Sequence, residues 1–62
     1  MPIIHVELVE GRSVEQKRKL AKIISEATAE TMACPIEAVK VIYHDMKATD
    51  FAEGGILRSD RQ

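Results

Sequence analysis

From Ile3 to Val9 the chain alternates, with Ile4, Val6 and Leu8 on one side and Ile3, His5, Glu7 and Val9 on the other. A period of two over this length predicts a β-strand whose apolar triplet faces a helix. The segment EGRS then breaks the alternation. Gly11 supplies a turn, and Ser13 followed by Gln16 has the spacing of a capping box, in which each side chain satisfies the other residue's backbone N–H. A helix is therefore predicted to start at about Val14. Beyond it Leu20, Ile23, Ile24, Ala27 and Thr31 recur at helical spacing, while Lys17, Lys19, Lys22, Glu26 and Glu30 project elsewhere. This pattern predicts an amphipathic helix of about five turns with the first set as its apolar face.

The segment ACPIEA ends that helix, because Pro35 disfavours the helical conformation at Cys34. The β-branched stretch VKVIYHDM follows and predicts a second strand, with Val39, Val41 and Tyr43 on one face and Lys40, Ile42 and His44 on the other. Strand, long helix, strand is a βαβ unit, whose crossover is right-handed in nearly all cases and makes the strands parallel. The remainder, KATDFAEGGILRSDRQ, contains Phe51 and a Gly54-Gly55 turn and predicts a short hairpin or arm used against a neighbouring subunit. The expected fold class is α/β (α+β), one β-α-β unit with a C-terminal hairpin, in a single domain over residues 1–62.

One helix covers one face of a two-stranded sheet. Ile3, Val9 and Ile42 are left on the other face, where apolar surface calls for a partner. Chain length points the same way, because a chain of 62 residues buries only about 60% of its unfolded surface and needs a disulfide, a metal or self-association. Cys34 is the one cysteine, and only His5 and His44 accompany it, without the close Cys/His pairs of a structural zinc site. Self-association remains, so a homo-oligomer without metal or cofactor is expected.

Charged residues make up 31% of the chain yet leave a net charge of -1, and Tyr43 and Phe51 are the only aromatic residues of the FWY set. No attraction to nucleic acid or to an anionic membrane is implied. No apolar run approaches the roughly 18 residues of a membrane span and no signal-peptide pattern is present, so a cytoplasmic protein is expected.

The opening MPIIHV places a proline directly after the initiator methionine. Removal of Met1, expected before a small residue, turns Pro2 into a terminal secondary amine, a stronger base than an ordinary terminus. Nearby cations and partial burial lower the pKa of an amine toward the range near pH 7 that suits acid–base work. Arg12 and Lys40 are the candidate cations, and they also suit an anionic substrate. The bland reading is that Pro2 merely starts a strand without needing an N–H. Likewise Arg12 reads alone as a solvated turn residue, Lys40 as an edge charge or half of an intersubunit ion pair, and Phe51 as packing. His5 and His44 read as surface strand residues, Cys34 as an ordinary thiol, and Arg58 and Arg61 as a solvated tail, the alternative being a mobile arm that brings Arg58 toward a neighbouring pocket.

Pro2 ahead of a strand, LVEGRS with Arg12, EQK opening the helix, Pro35 before VKVI, and Phe51 followed by Gly54-Gly55 together change that weighting. At these spacings and over nearly the whole chain, the sequence resembles the 4-oxalocrotonate tautomerase family. The resemblance implies β-α-β protomers paired into dimers with a four-stranded sheet, and three dimers in a hexamer. It also implies that Pro2 shuttles a proton between oxygen and carbon of an enol or α-keto acid, 2-hydroxymuconate-like or phenylenolpyruvate-like. Arg12 of a neighbouring subunit would bind a substrate carboxylate, Phe51 would form part of an apolar wall, and Lys40 stands where better-known members carry a second arginine.

Lysine lacks the planar fork of arginine, and Glu53 occupies a position that is apolar in well-known members. A carboxylate near the pocket would repel a second substrate carboxylate and favour a cationic Pro2, and the two departures together argue for a monocarboxylate or an unidentified substrate. Two other readings stand beside the tautomerase: a hydratase or dehalogenase-like activity of the same superfamily that uses a protonated Pro2, and a self-assembling scaffold without turnover.

Overall fold

The computed structural model describes residues 1–61. Strand β1 spans Ile3–Val9, helix α1 Val14–Met32 and strand β2 Lys40–Met46. β1 and β2 pair in parallel with Ile3 opposite Lys40 and Val9 opposite Met46. The hairpin follows as β3 (Ala52–Glu53) and β4 (Ile56–Leu57), paired antiparallel. Gly54 (φ 61°) and Gly55 (φ 82°) both take the left-handed backbone that this tight turn requires. Helix crossover, parallel pairing and hairpin therefore stand as the sequence predicted, with β2 starting one residue later than the β-branched run.

The capping box forms as written in the sequence. The Ser13 Oγ accepts from the Gln16 N–H at 3.1 Å, and the Gln16 Oε1 accepts from the Ser13 N–H at 3.0 Å. Replacing Ser13 by alanine leaves an N-terminal helix donor without its acceptor, so thermal unfolding is expected to show a loss of about 1 kcal/mol. At the other end the helix stops at Met32, ahead of the residue that Pro35 restricts. Ala33 takes the left-handed conformation at φ 53°, and its N–H and that of Cys34 both reach the Ala29 carbonyl. Three residues later a 3-10 turn at Ile36–Ala38 redirects the chain into β2.

Ile4, Val6 and Leu8 of β1 and Val41 and Tyr43 of β2 lie half-buried beneath the helix, as the alternation predicts. The Tyr43 hydroxyl donates to the Lys17 carbonyl at 2.8 Å, and Lys17 forms an ion pair with Asp45. These two contacts tie the first turn of α1 to β2. The helix face over the sheet differs from the expected one. Lys17, Ala21, Ile24, Ser25, Thr28 and Ala29 are the half-buried positions, whereas Leu20, Ile23, Ala27 and Thr31 are exposed. Ile24 is thus inward as predicted, while Leu20, Ile23 and Ala27 are rotated to the helix flank. Ile23 keeps 52% of its surface exposed.

No described residue of the lone chain is fully buried. The radius of gyration is 14.8 Å, against about 11 Å for a compact chain of this length. Ile3 and Ile42 are exposed on the open sheet face, as expected, while Val9 is half-buried beside the loop that follows β1. Apolar surface is thus open on the sheet face, the helix flank and the hairpin, where Ile56 is 48% exposed. This distribution leaves the described residues of one chain without a buried hydrophobic core.

Candidate active site

Four residues singled out in the sequence fall at the two ends of the sheet. Pro2 sits at the head of β1, half-buried, and its carbonyl accepts from the Lys40 N–H at 2.9 Å. This bond places Pro2 beside the first residue of β2 whatever the Lys40 side chain does. The Lys40 Nζ donates to the Glu37 carbonyl at 3.2 Å, which holds the ammonium over the turn before β2. Met1 precedes Pro2 and is 87% exposed, so the bond joining them projects from the sheet end.

Arg12 lies beyond the opposite end of β1. Seven strand residues at about 3.3 Å each set the two ends about 23 Å apart. Gly11, at φ 122°, turns the chain there, and the Glu10 N–H donates to the Met46 carbonyl at 2.8 Å, extending the pairing past the strand. Residues 7–12, Ala48 and Arg58 line a cleft of about 670 Å³ at this end. A smaller one of about 120 Å³ runs under the start of α1, between Arg12 and Leu20. Arg12 therefore borders both. It takes part in no ion pair among the described residues.

Phe51 is half-buried at the base of the hairpin, where its carbonyl accepts from the Arg58 N–H at 2.7 Å. The structure thus brings Pro2 together with Lys40, and joins Phe51 to the Arg58 that shares a cleft with Arg12. It does not bring Pro2 and Arg12 together in one chain. A stiff strand separates them, so a site containing both requires two chains.

Arg58 lies beside this cleft and not in a solvated tail. Its signal was the Gly54-Gly55 turn: a hairpin around those glycines returns position 58 to position 51. Glu53 is also placed differently from expectation, since its carboxylate lies 3.5 Å from the Arg58 Nη1 and is not left uncompensated. On the open sheet face the His5 and His44 rings lie 6.0 Å apart, centroid to centroid, and Glu7 approaches His44 at 4.0 Å. Among the described residues no group of three or more His, Cys, Asp or Glu is placed to hold a metal ion, and no helix is long and apolar enough to cross a membrane.

A family model described as a tautomerase enzyme matches residues 2–61. A probable tautomerase of Lactiplantibacillus plantarum is 37% identical over 62 residues, covering 100% of this chain and 97% of its own. The crystal structure of a 4-oxalocrotonate tautomerase homologue matches with a TM-score of 0.94 at 35% identity, covering 100% of this chain and 98% of the other. A heterohexameric 4-oxalocrotonate tautomerase from Chloroflexus aurantiacus matches at a TM-score of 0.91 and 32% identity, with both chains covered in full.

Proposed function

The chain belongs to the 4-oxalocrotonate tautomerase family, and from that premise we propose that it is a cofactor-independent isomerase that moves a proton between oxygen and carbon of an enol or α-keto acid, with Pro2 as the proton shuttle. The observation that carries this reading is the separation of Pro2 with Lys40 at one end of β1 from Arg12 with its cleft at the other. Neither half suffices alone. Docking the Pro2 end of one chain against the Arg12 end of another yields a base beside an anion-binding pocket.

Each group then has a physical role. Once Met1 is removed, the Pro2 nitrogen is a secondary amine with a lone pair held by its ring. Cations at the meeting of two chains disfavour its ammonium form and lower its pKa, so that it takes the acidic proton as a base and returns it as an acid. The Arg12 guanidinium binds a substrate carboxylate with two parallel hydrogen bonds. The Lys40 ammonium stabilises the enolate charge that develops during transfer. Phe51 supplies an apolar wall that keeps water from the reacting carbon.

The exposed stripe of Leu20, Ile23 and Ala27 and the open sheet face with Ile3 and Ile42 supply the surfaces for self-association. The heterohexameric relative supports six chains as the assembly. Glu53 would have favoured a cationic Pro2, as the hydratase-like reading requires, but its charge is met by Arg58. This pairing supports the tautomerase reading. The test is optical: mature, assembled protein is expected to convert 2-hydroxymuconate or phenylenolpyruvate between enol and keto forms. Conversion of neither overturns the reading.

A further inference from the structure

We propose that His5 and His44 form a two-ligand site for a divalent transition-metal ion of the zinc class on the open face of the sheet, with Glu7 orienting His44. The proton-transfer reading uses neither histidine, and neither lines the clefts that Arg12 borders. Two imidazoles make an open chelate, not the closed four-ligand cage of a structural zinc centre. The site therefore needs no group of three ligands within one chain.

The parallel register produces the pair from residues far apart in sequence. His5 stands opposite Ile42, and Glu7 stands opposite His44. The histidines are thus diagonal neighbours on one face, a separation that ring side chains bridge. Their ring centroids lie 6.0 Å apart with the planes inclined at 54°, so the rings are tilted and not stacked. With about 2.0–2.1 Å from zinc to each ligating nitrogen, a tetrahedral ion holds two ring centroids about 5 Å apart. Small rotations of exposed side chains close the difference. Imidazole nitrogens suit zinc, copper and nickel, whereas oxygen-preferring magnesium and calcium gain little from them.

Glu7 gives His44 its orientation. The carboxylate lies 4.0 Å from the His44 Nδ1, within ion-pair range. A carboxylate on one ring nitrogen favours the tautomer that carries its proton there and leaves the other nitrogen, Nε2, to take a metal.

The charges on this face agree with a bound cation. Ile3, His5 and Glu7 of β1 and Lys40, Ile42 and His44 of β2 are its exposed residues. Lys40 is the one cation among them, and its Nζ donates to the Glu37 carbonyl at 3.2 Å, away from Glu7. Asp45 lies on the opposite face, paired with Lys17. Covering Glu7 and the two imidazoles in a contact between chains is costly while they lack partners. A divalent ion between the histidines satisfies both rings and supplies positive charge beside Glu7.

The test is calorimetric titration of zinc chloride into the assembled protein. The parent is expected to bind close to one zinc per chain with a saturable isotherm. His5→Gln and His44→Gln are each expected to weaken binding about a hundredfold, because the second imidazole no longer binds intramolecularly. Glu7→Gln is expected to weaken it about tenfold, as loss of an orienting carboxylate does. Cys34→Ser is expected to leave it unchanged, which separates this site from a thiolate.

No saturable binding by the parent, binding that survives both histidine replacements, or binding lost in Cys34→Ser would overturn the proposal. If a histidine variant does not assemble, the parent decides by proton magnetic resonance. The chain has two histidines, and the ring signals of both are expected to shift at one equivalent of zinc. A shift confined to one ring or absent from both would refute the chelate.

Discussion

Replacing Pro2 by alanine is expected to slow enol–keto conversion by about 10²–10⁴-fold, the contribution of a positioned acid–base group, while the oligomer stays intact. The structural duty of Pro2 is to present a carbonyl to the Lys40 N–H at 2.9 Å, which alanine does equally well. What alanine changes is the amine. A primary amine replaces a ring nitrogen of higher basicity, and free rotation replaces a lone pair fixed in direction by the pyrrolidine ring. Protein that keeps Met1 is expected to show the same loss, because its Pro2 nitrogen is then an amide. Intact mass separates the two populations, and initial rates on each give the comparison.

Glutamate in place of Ile23 is expected to break the assembly and with it nearly all conversion. Ile23 lies among the exposed apolar positions of the helix and is 52% exposed in the lone chain. A carboxylate in an apolar contact between chains must be desolvated without a partner, at a penalty of several kcal/mol. Since no described residue is fully buried within one chain, little stability remains once that contact opens. Light scattering after size exclusion is expected to show species smaller than the parent, with loss of helical circular dichroism. Lys22→Glu, one position away on the charged side, is expected to leave both unchanged.

The local structure was legible because it is set by local chemistry. A period of two in Ile3–Val9, the Ser13/Gln16 pair and the glycine turn each act within a few residues, and each produced the predicted element. The helix orientation was less legible. Leu20 and Ile23 are the stronger apolar residues, and hydropathy selects them as the inward face. In the structure Ala21, Ser25 and Ala29 are half-buried alongside Ile24, while Leu20 and Ile23 stay exposed. Periodicity reveals that an apolar face exists and is silent on which neighbour covers it.

The candidate site was legible in its residues and not in its geometry. Pro2, Arg12, Lys40 and Phe51 stand out in the sequence from motif context, and the strand predicted between Pro2 and Arg12 already separates those two, but only the register of Ile3 opposite Lys40 shows that Lys40 stands at the Pro2 end. Arg58 was read as part of a polar tail because a side chain in such a segment has no period to betray it. The hairpin bond to Phe51 is what places it beside the cleft.

The central claim is that each site is built from the Pro2 end of one chain and the Arg12 end of another, and the direct measurement is complementation. Pro2→Ala and Arg12→Ala proteins are each expected to be nearly inactive. Unfolded together and refolded as mixed oligomers, they are expected to recover a sizeable fraction of the parent rate, because some interfaces then join an intact Pro2 to an intact Arg12. If mixed oligomers form, as native mass spectrometry would show, and conversion stays at the level of the separate variants, the account of a shared site is wrong.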